Sequence, residues 1–184
     1  MALGDFLETW SGFGVRHIPE GSPYGILDFR FSNRAKDNRW NIEGQPTLYL
    51  ASEKDVALAE YARHLQIDRS TNLTRQTRAR HVWRLELTLK HVIDLRNPQL
   101  WKELSLQNPA FCFLDIEQAR AVAQLVRKTT LAEAVLVPSM AFLDKPDRWV
   151  MAVFLEKLLT DPLKDDPSKF ILSATDDGIF AAHD

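Results

Sequence analysis

The sequence predicts a mixed α+β fold in one compact domain, a mixed sheet with flanking helices. Two positive observations and one exclusion carry this. Trp83, Leu85, Leu87 and Leu89 alternate with Arg84, Glu86, Thr88 and Lys90, the period-two pattern of a half-buried strand. Asp115 precedes a segment in which Ile116, Ala119, Val122, Ala123 and Val126 recur at helical spacing. Between such segments strands and helices alternate irregularly, with no glycine-rich strand-to-helix phosphate loop, which argues against a Rossmann or P-loop design. The domain is expected over residues 1–160, and residues 161–184 read as a C-terminal tail that can pack back on it.

The elements follow in chain order. Gly12, Gly14, Pro19, Gly21, Pro23 and Gly25 break the first part into turns and short extended pieces. Tyr24 to Phe31 is a strand candidate, and Asn33 to Gly44 reads as a loop closed by Gly44-Gln45-Pro46. Thr47 to Ala51 is a short strand buried on both faces. Ser52 can cap a helix that runs to about Gln66, with Asp55 completing a capping-box-like pattern. On that helix Leu58, Tyr61, Ala62 and Leu65 form a core-facing stripe, and Val56, Glu60, Arg63 and Ile67 fall on the opposite side. Both faces are then covered, one by the sheet and the other by a pocket. Gln66 to Arg80 lacks periodicity and reads as a loop. Asn97-Pro98 opens a short helix through Leu104, and Asp115 caps one that reaches about Lys128. Ala134 to Val137 and Trp149 to Leu155 are two further apolar strands. From Thr160 the chain turns polar and ends on a small apolar patch.

Composition narrows the function classes. The 184 residues are 45% hydrophobic and 26% charged, with 23 basic and 25 acidic residues and a net charge of -2. Such a balance offers no global field toward nucleic acid or an anionic membrane. Arg75, Arg78, Arg80 and His81 could form a local basic patch, but their polar setting reads as a solvated loop. The one cysteine, Cys112, excludes an internal disulfide framework and fits a reducing cytoplasm; between Phe111 and Phe113 it reads as a small apolar filler. The N-terminus carries no signal-peptide pattern, and no window approaches a membrane span. His17, His64, His81, His91 and His183 show no paired ligand spacing, so no metal site is expected. Ser139 lacks the glycine-x-serine-x-glycine elbow of a serine hydrolase.

Four residues with polar groups sit on or beside otherwise packed elements: Arg39, Tyr49, Glu60 and Ser139. Each alone has an ordinary reading as a loop arginine, core tyrosine, solvated helix acid or turn cap. Spacing by itself does not make them a site.

The ordered set Val15-Arg16-His17-Ile18-Pro19, Asn38-Arg39-Trp40-Asn41, Thr47-Leu48-Tyr49-Leu50-Ala51, Ala57-Leu58-Ala59-Glu60 and Val137-Pro138-Ser139 resembles the RES-domain family over about residues 14 to 156. The resemblance implies a fold similar to ADP-ribosyltransferase toxins and consumption of NAD⁺, as substrate, by cleavage of the nicotinamide–ribose bond. It also implies a bacterial cytoplasmic toxin paired with an Xre-type antitoxin, reaching nucleic acid only through that partner; a homo-oligomer is compatible with it. Position by position, Arg16 and Arg39 correspond to site arginines, Tyr49 to the strand tyrosine, Glu60 to the helix glutamate and Ser139 to the Pro-Ser serine. Asn38 stands where the family has glycine, and asparagine tolerates left-handed backbone better than most residues.

These residue types suit that chemistry. Cleavage develops oxocarbenium-like charge on the sugar, which Glu60 would stabilise from a fixed position. Guanidinium groups grip phosphate oxygens two-pronged, which suits Arg16 and Arg39 to the pyrophosphate. Tyr49 offers an aromatic face and Ser139 one hydrogen bond near the same ring. Hydrolysis, phosphorolysis and transfer of ADP-ribose to a protein or small-molecule acceptor use the same pocket, so they remain alternatives. A non-enzymatic partner-binding module is a further one. An RNA-cleaving toxin ranks last, for want of a histidine pair or basic surface.

Overall fold

In the computed structural model, which describes residues 2–34, 36, 38–68, 79–161 and 164–180, one long strand organises the sheet. That strand, β3 (Arg80–Asp94), buries Leu85, Leu87 and Leu89 completely and leaves Thr88 and Lys90 exposed, as a period of two requires. At its start both faces are covered: Trp83 keeps the phase of Leu85 and packs half-buried against the same core, while Val82 on the other face is fully buried with Val15, Val56 and Ala57. The bulge opposite Val82 and Trp83 falls in the partner strand, where Asp177 is the extra residue between Asp176 and Gly178. Arg80 and His81 belong to this strand, not to a solvated loop. Arg80 is buried, and His81 pairs with Asp176 at 2.7 Å. The rest of the expected patch, Arg75 and Arg78, lies outside the described residues, as do the side chains of Leu65 and Ile67.

β1 (Leu7–Pro19) runs antiparallel to β3 from Leu7↔Ile93 to Pro19↔Arg80. The expectation of turns and short pieces is corrected here: Gly12 and Gly14 lie inside a 13-residue strand. Gly14 serves a close approach rather than a turn, because a Cβ on it would stand 2.8 Å from the Cβ of Leu50. Residues 24–31, expected as a strand, form turns and bends instead. Their apolar positions still work, since Ile26 and Phe29 pack into the core.

Among the described residues six strands, with β2 (Thr47–Ala51), β4 (Ala134–Pro138), β5 (Trp149–Phe154) and β6 (Ile171–Phe180) beside β1 and β3, are ordered β1-β2-β5-β4-β3-β6, and β1 also pairs with β3. β2, β4 and β5 therefore close a ring with β1 and β3. The β3–β4 pair is parallel and the other described pairs antiparallel, which makes the sheet mixed. β6 lies antiparallel along the first half of β3, from Arg80↔Phe180 to Leu87↔Ile171. Phe170 and Ile171, beyond the expected boundary at 160, are buried in the same core as Leu85 and Leu87.

Alternate strand residues divide between two cores. Leu48, Leu50, Met151, Val153, Leu85 and Leu87 share one with Ile26 and Phe29. Tyr49, Ala152, Phe154, Val135, Val137 and Ile93 face the other, under α2 (Pro98–Glu103) and α3 (Ile116–Thr129). Asn97 caps α2 through the amide of Gln99, and Asp115 caps α3 through those of Glu117 and Gln118. Ala119, Val122, Ala123 and Val126 form the buried stripe of α3. A short helix, α4 (Leu155–Leu158), follows β5. Cys112 is half-buried against the second core. Among the described residues, no helix is long and apolar enough to cross a membrane.

Candidate active site

α1 (Lys54–Asp68) leaves β2 after a two-residue link. Ser52 does not cap it as expected; its hydroxyl accepts the amide of Trp149 on β5 instead. Among the described side chains of α1 Val56 and Ala57 are the deepest, while Ala62, expected inside, is exposed. Glu60 follows Val56 by four residues and so shares its helix face. Packing of Val56 against the sheet thus turns the Glu60 carboxylate toward the end of β4.

There the carboxylate is gripped on one oxygen. Ser139 donates its hydroxyl to Glu60 Oε1 at 2.6 Å, and the amide of Ala141 donates to the same atom at 3.0 Å. Ser139 is fully buried directly after β4, and its own amide is tied to Arg148 O at 3.0 Å. Among the described residues Glu60 Oε2 accepts no hydrogen bond, and Glu60 lines the cleft. Two donors on one oxygen fix the carboxylate in place without consuming the other oxygen.

The cleft has a volume of about 780 Å³. Glu60 is the one acid among its described lining residues, against Arg16, Lys36, Arg39, Arg63 and Arg120. A chain of net charge -2 thus carries a locally cationic cavity, a setting for a polyanionic ligand. Among the described residues no group of three or more His, Cys, Asp or Glu is placed to hold a metal ion.

Four of the five expected site residues line this cleft: Arg16, Arg39, Tyr49 and Glu60. Ser139 stands behind Glu60. Arg39 donates through Nη1 to the carbonyls of Phe113 and Leu114, at 2.5 and 2.9 Å, tying the 33–46 loop to the turn before α3. Burial and neighbouring Arg63 pull this guanidinium below its usual pKa, and Glu60 opposes them. Arg16 donates to Ile26 O and lies over the Phe29 ring, 5.0 Å from its centroid; burial lowers its pKa to about 10 despite Asp28. Tyr49 turns its hydroxyl to the loop, donating to Asn41 Oδ1 at 2.8 Å and accepting the Trp40 amide at 3.1 Å. Burial pushes the phenol up, so it stays protonated. Its hydroxyl holds the Arg39 turn in shape, and what remains for a ligand is the ring. The Asn38 carbonyl accepts from Arg120 Nε at 3.0 Å.

Sequence reasoning missed several cleft groups. His17 Nδ1 accepts from Arg80 Nε at 2.9 Å, so the ring proton sits on Nε2 and donates to Ala57 O at 3.3 Å. Burial, then Arg80, lowers its pKa to about 4. The neutral ring joins β1 and β3 to the helix that carries Glu60, and Tyr61 packs edge-on against it at 5.2 Å. Arg120 on α3 had no local signal, because its helix face is defined only by what folds over it. Arg63 had one: it follows Glu60 by three residues on the same helical face.

Fold and site together define a mixed α+β protein whose cationic cleft sets a buttressed carboxylate among guanidinium groups. The sequence model of the RES domain matches residues 15–173, and the chain belongs to the RES-domain family. The crystal structure of the M. tuberculosis MbcT-MbcA toxin-antitoxin complex contains a chain of similar fold. The TM-score is 0.62 at 20% identity, covering 92% of this chain and 86% of that one. No curated protein sequence matches the chain.

Proposed function

We propose that this protein consumes NAD⁺ by cleaving the bond between nicotinamide and ribose, and that it acts as a toxin held in check by an antitoxin partner. One observation carries the reading: among the described residues Glu60 is anchored by Ser139 and Ala141 on one oxygen only, within a cleft whose other charged lining residues are basic. Family membership and the toxin fold neighbour support the same direction. The fold is taken, on this reading, as one of the ADP-ribosyltransferase toxin type.

Heterolysis of the C1′–N bond sends the electron pair to nicotinamide, which leaves neutral, while positive charge spreads over C1′ and the ring oxygen. Glu60 Oε2 binds the ribose hydroxyls and faces that charge. Its benefit comes from being positioned before the reaction, in a cavity partly shielded from water. Guanidinium groups neutralise the pyrophosphate, and the Tyr49 ring packs against nicotinamide or ribose. An acceptor oxygen then bonds to C1′ and gives up its proton. Water, inorganic phosphate and a hydroxyl-bearing acceptor differ only at this last step.

The test is release of nicotinamide from NAD⁺ by the purified protein, in buffer with and without phosphate and with cell extract as an acceptor source. Release by wild type and its loss in Glu60→Gln is the expected result. Equal inactivity of the two proteins under all three conditions would overturn it.

A further inference from the structure

The basic residues of the cleft are not equally committed. Arg120 has all three nitrogens engaged: Nε with Asn38 O, Nη2 with Lys36 O and Nη1 with Glu117. Arg39 is tied to two carbonyls and Arg16 to one, the latter also resting on Phe29. Lys36 pairs with Glu43 at 3.5 Å. Arg63 lines the same cleft and is half-buried, yet among the described residues it makes no hydrogen bond or ion pair. A partly desolvated cation beside another cation, Arg39, is unfavourable until an anion joins them.

We propose that Arg63 is the residue that grips the pyrophosphate of the dinucleotide, while Arg16, Arg39 and Arg120 chiefly shape the cavity around it. The assignment rests on the NAD⁺ reading above and changes its division of labour. Glu60 and Arg63 are three residues apart on α1, a rise of about 4.5 Å along the axis. A ribose held at Glu60 therefore presents its 5′-phosphate side along the same helix face, within reach of the long Arg63 side chain. Among the described residues no acceptor takes any of the five donors of Arg63, and that guanidinium can meet two phosphate oxygens at once, which a lysine cannot match in geometry. The site then selects phosphate-bearing nucleotides by charge and leaves bond cleavage to Glu60.

Two readouts test this: affinity for ADP-ribose, by calorimetry at low and high salt, and the KM and kcat for NAD⁺. They are compared in wild type, Arg63→Gln and Arg63→Lys. Arg63→Gln is expected to weaken ADP-ribose binding and raise the KM for NAD⁺ by roughly 10- to 100-fold, the size of a lost hydrogen bond to a charged group. Its kcat should stay within about twofold and its binding should depend less on salt. Arg63→Lys should recover part of the affinity. If Arg63→Gln binds ADP-ribose as wild type does, or loses kcat with KM unchanged, the assignment is overturned while NAD⁺ consumption stands. If wild type neither binds ADP-ribose nor consumes NAD⁺, both fall together.

Discussion

Ser139 Oγ donates to Glu60 Oε1 at 2.6 Å across 79 residues of chain. The contact joins the end of β4 to the second turn of α1, two elements brought together because β2 and β4 both flank β5. Removing the hydroxyl leaves the carboxylate with the Ala141 amide alone. Ser139→Ala should lower NAD⁺ turnover by roughly 10- to 100-fold, the scale of a hydrogen bond to a charged group, with ADP-ribose affinity little changed. Unaltered turnover in a steady-state assay would show that Ala141 suffices.

Glu60→Gln keeps an oxygen that can accept from Ser139 and Ala141, so the fold should persist. The charge is lost, and turnover should drop by about 10²–10³-fold, as for other preorganised electrostatic groups. The melting temperature should move by no more than about 4 °C, which corresponds to roughly 1 kcal/mol in a chain of this size. A larger shift would assign Glu60 to stability.

Tyr49→Phe removes the acceptor for the Trp40 amide and the donor to Asn41, a fully buried side chain. Two buried polar groups lose a partner, at a cost of about 1–3 kcal/mol each at most. Urea unfolding should show the lower midpoint, and activity should decline with it because the turn carrying Arg39 loosens. A midpoint equal to wild type would mean that water replaces the hydroxyl.

His17 gives a pH dependence of definite sign. Its pKa falls from 6.5 to about 4 on folding, by burial first and Arg80 second. Between those values the unfolded chain binds the proton and the folded protein does not, so this contribution to stability is complete above 6.5 and is lost as pH falls toward 4. The urea midpoint should decrease from pH 7 to pH 5, and His17→Gln should flatten that slope. An identical slope in the variant would assign the dependence to other groups.

Gly14→Ala sets a methyl group 2.8 Å from Leu50 Cβ, where β1 crosses β2. Overpacking of this kind costs about 1–3 kcal/mol, and thermal melting should report it. Gly12→Ala is the control: its nearest neighbour is the ring edge of Trp10, at 3.3 Å and better able to yield.

Local pattern was enough for much of the architecture. Period-two burial located the centre of β3, capping chemistry located α2 and α3, and continuous apolar runs located β2, β4 and β5, because each of these signals is written in neighbours within a turn or a strand. The ordered motifs named the family and four of the cleft residues. Where local signal misled, long-range packing had overruled it. Glycines 12 and 14 punctuate the sequence, yet they sit within β1 because β3 supplies a full ladder of partners. Ser52 reads as a cap until β5 arrives with an amide for it.

The one-dimensional chain determined which residue types were on hand: a helix acid, strand and loop arginines, a strand tyrosine and a Pro-Ser step. Only the tertiary structure decided their state. It closed Ser139 onto Glu60, drew Tyr49 to the loop, engaged Arg39 and Arg120 with carbonyls and left Arg63 uncommitted among the described residues. The physical reason is that a charged group's role depends on how many of its donors or acceptors are already satisfied, and those partners come from segments far away in sequence.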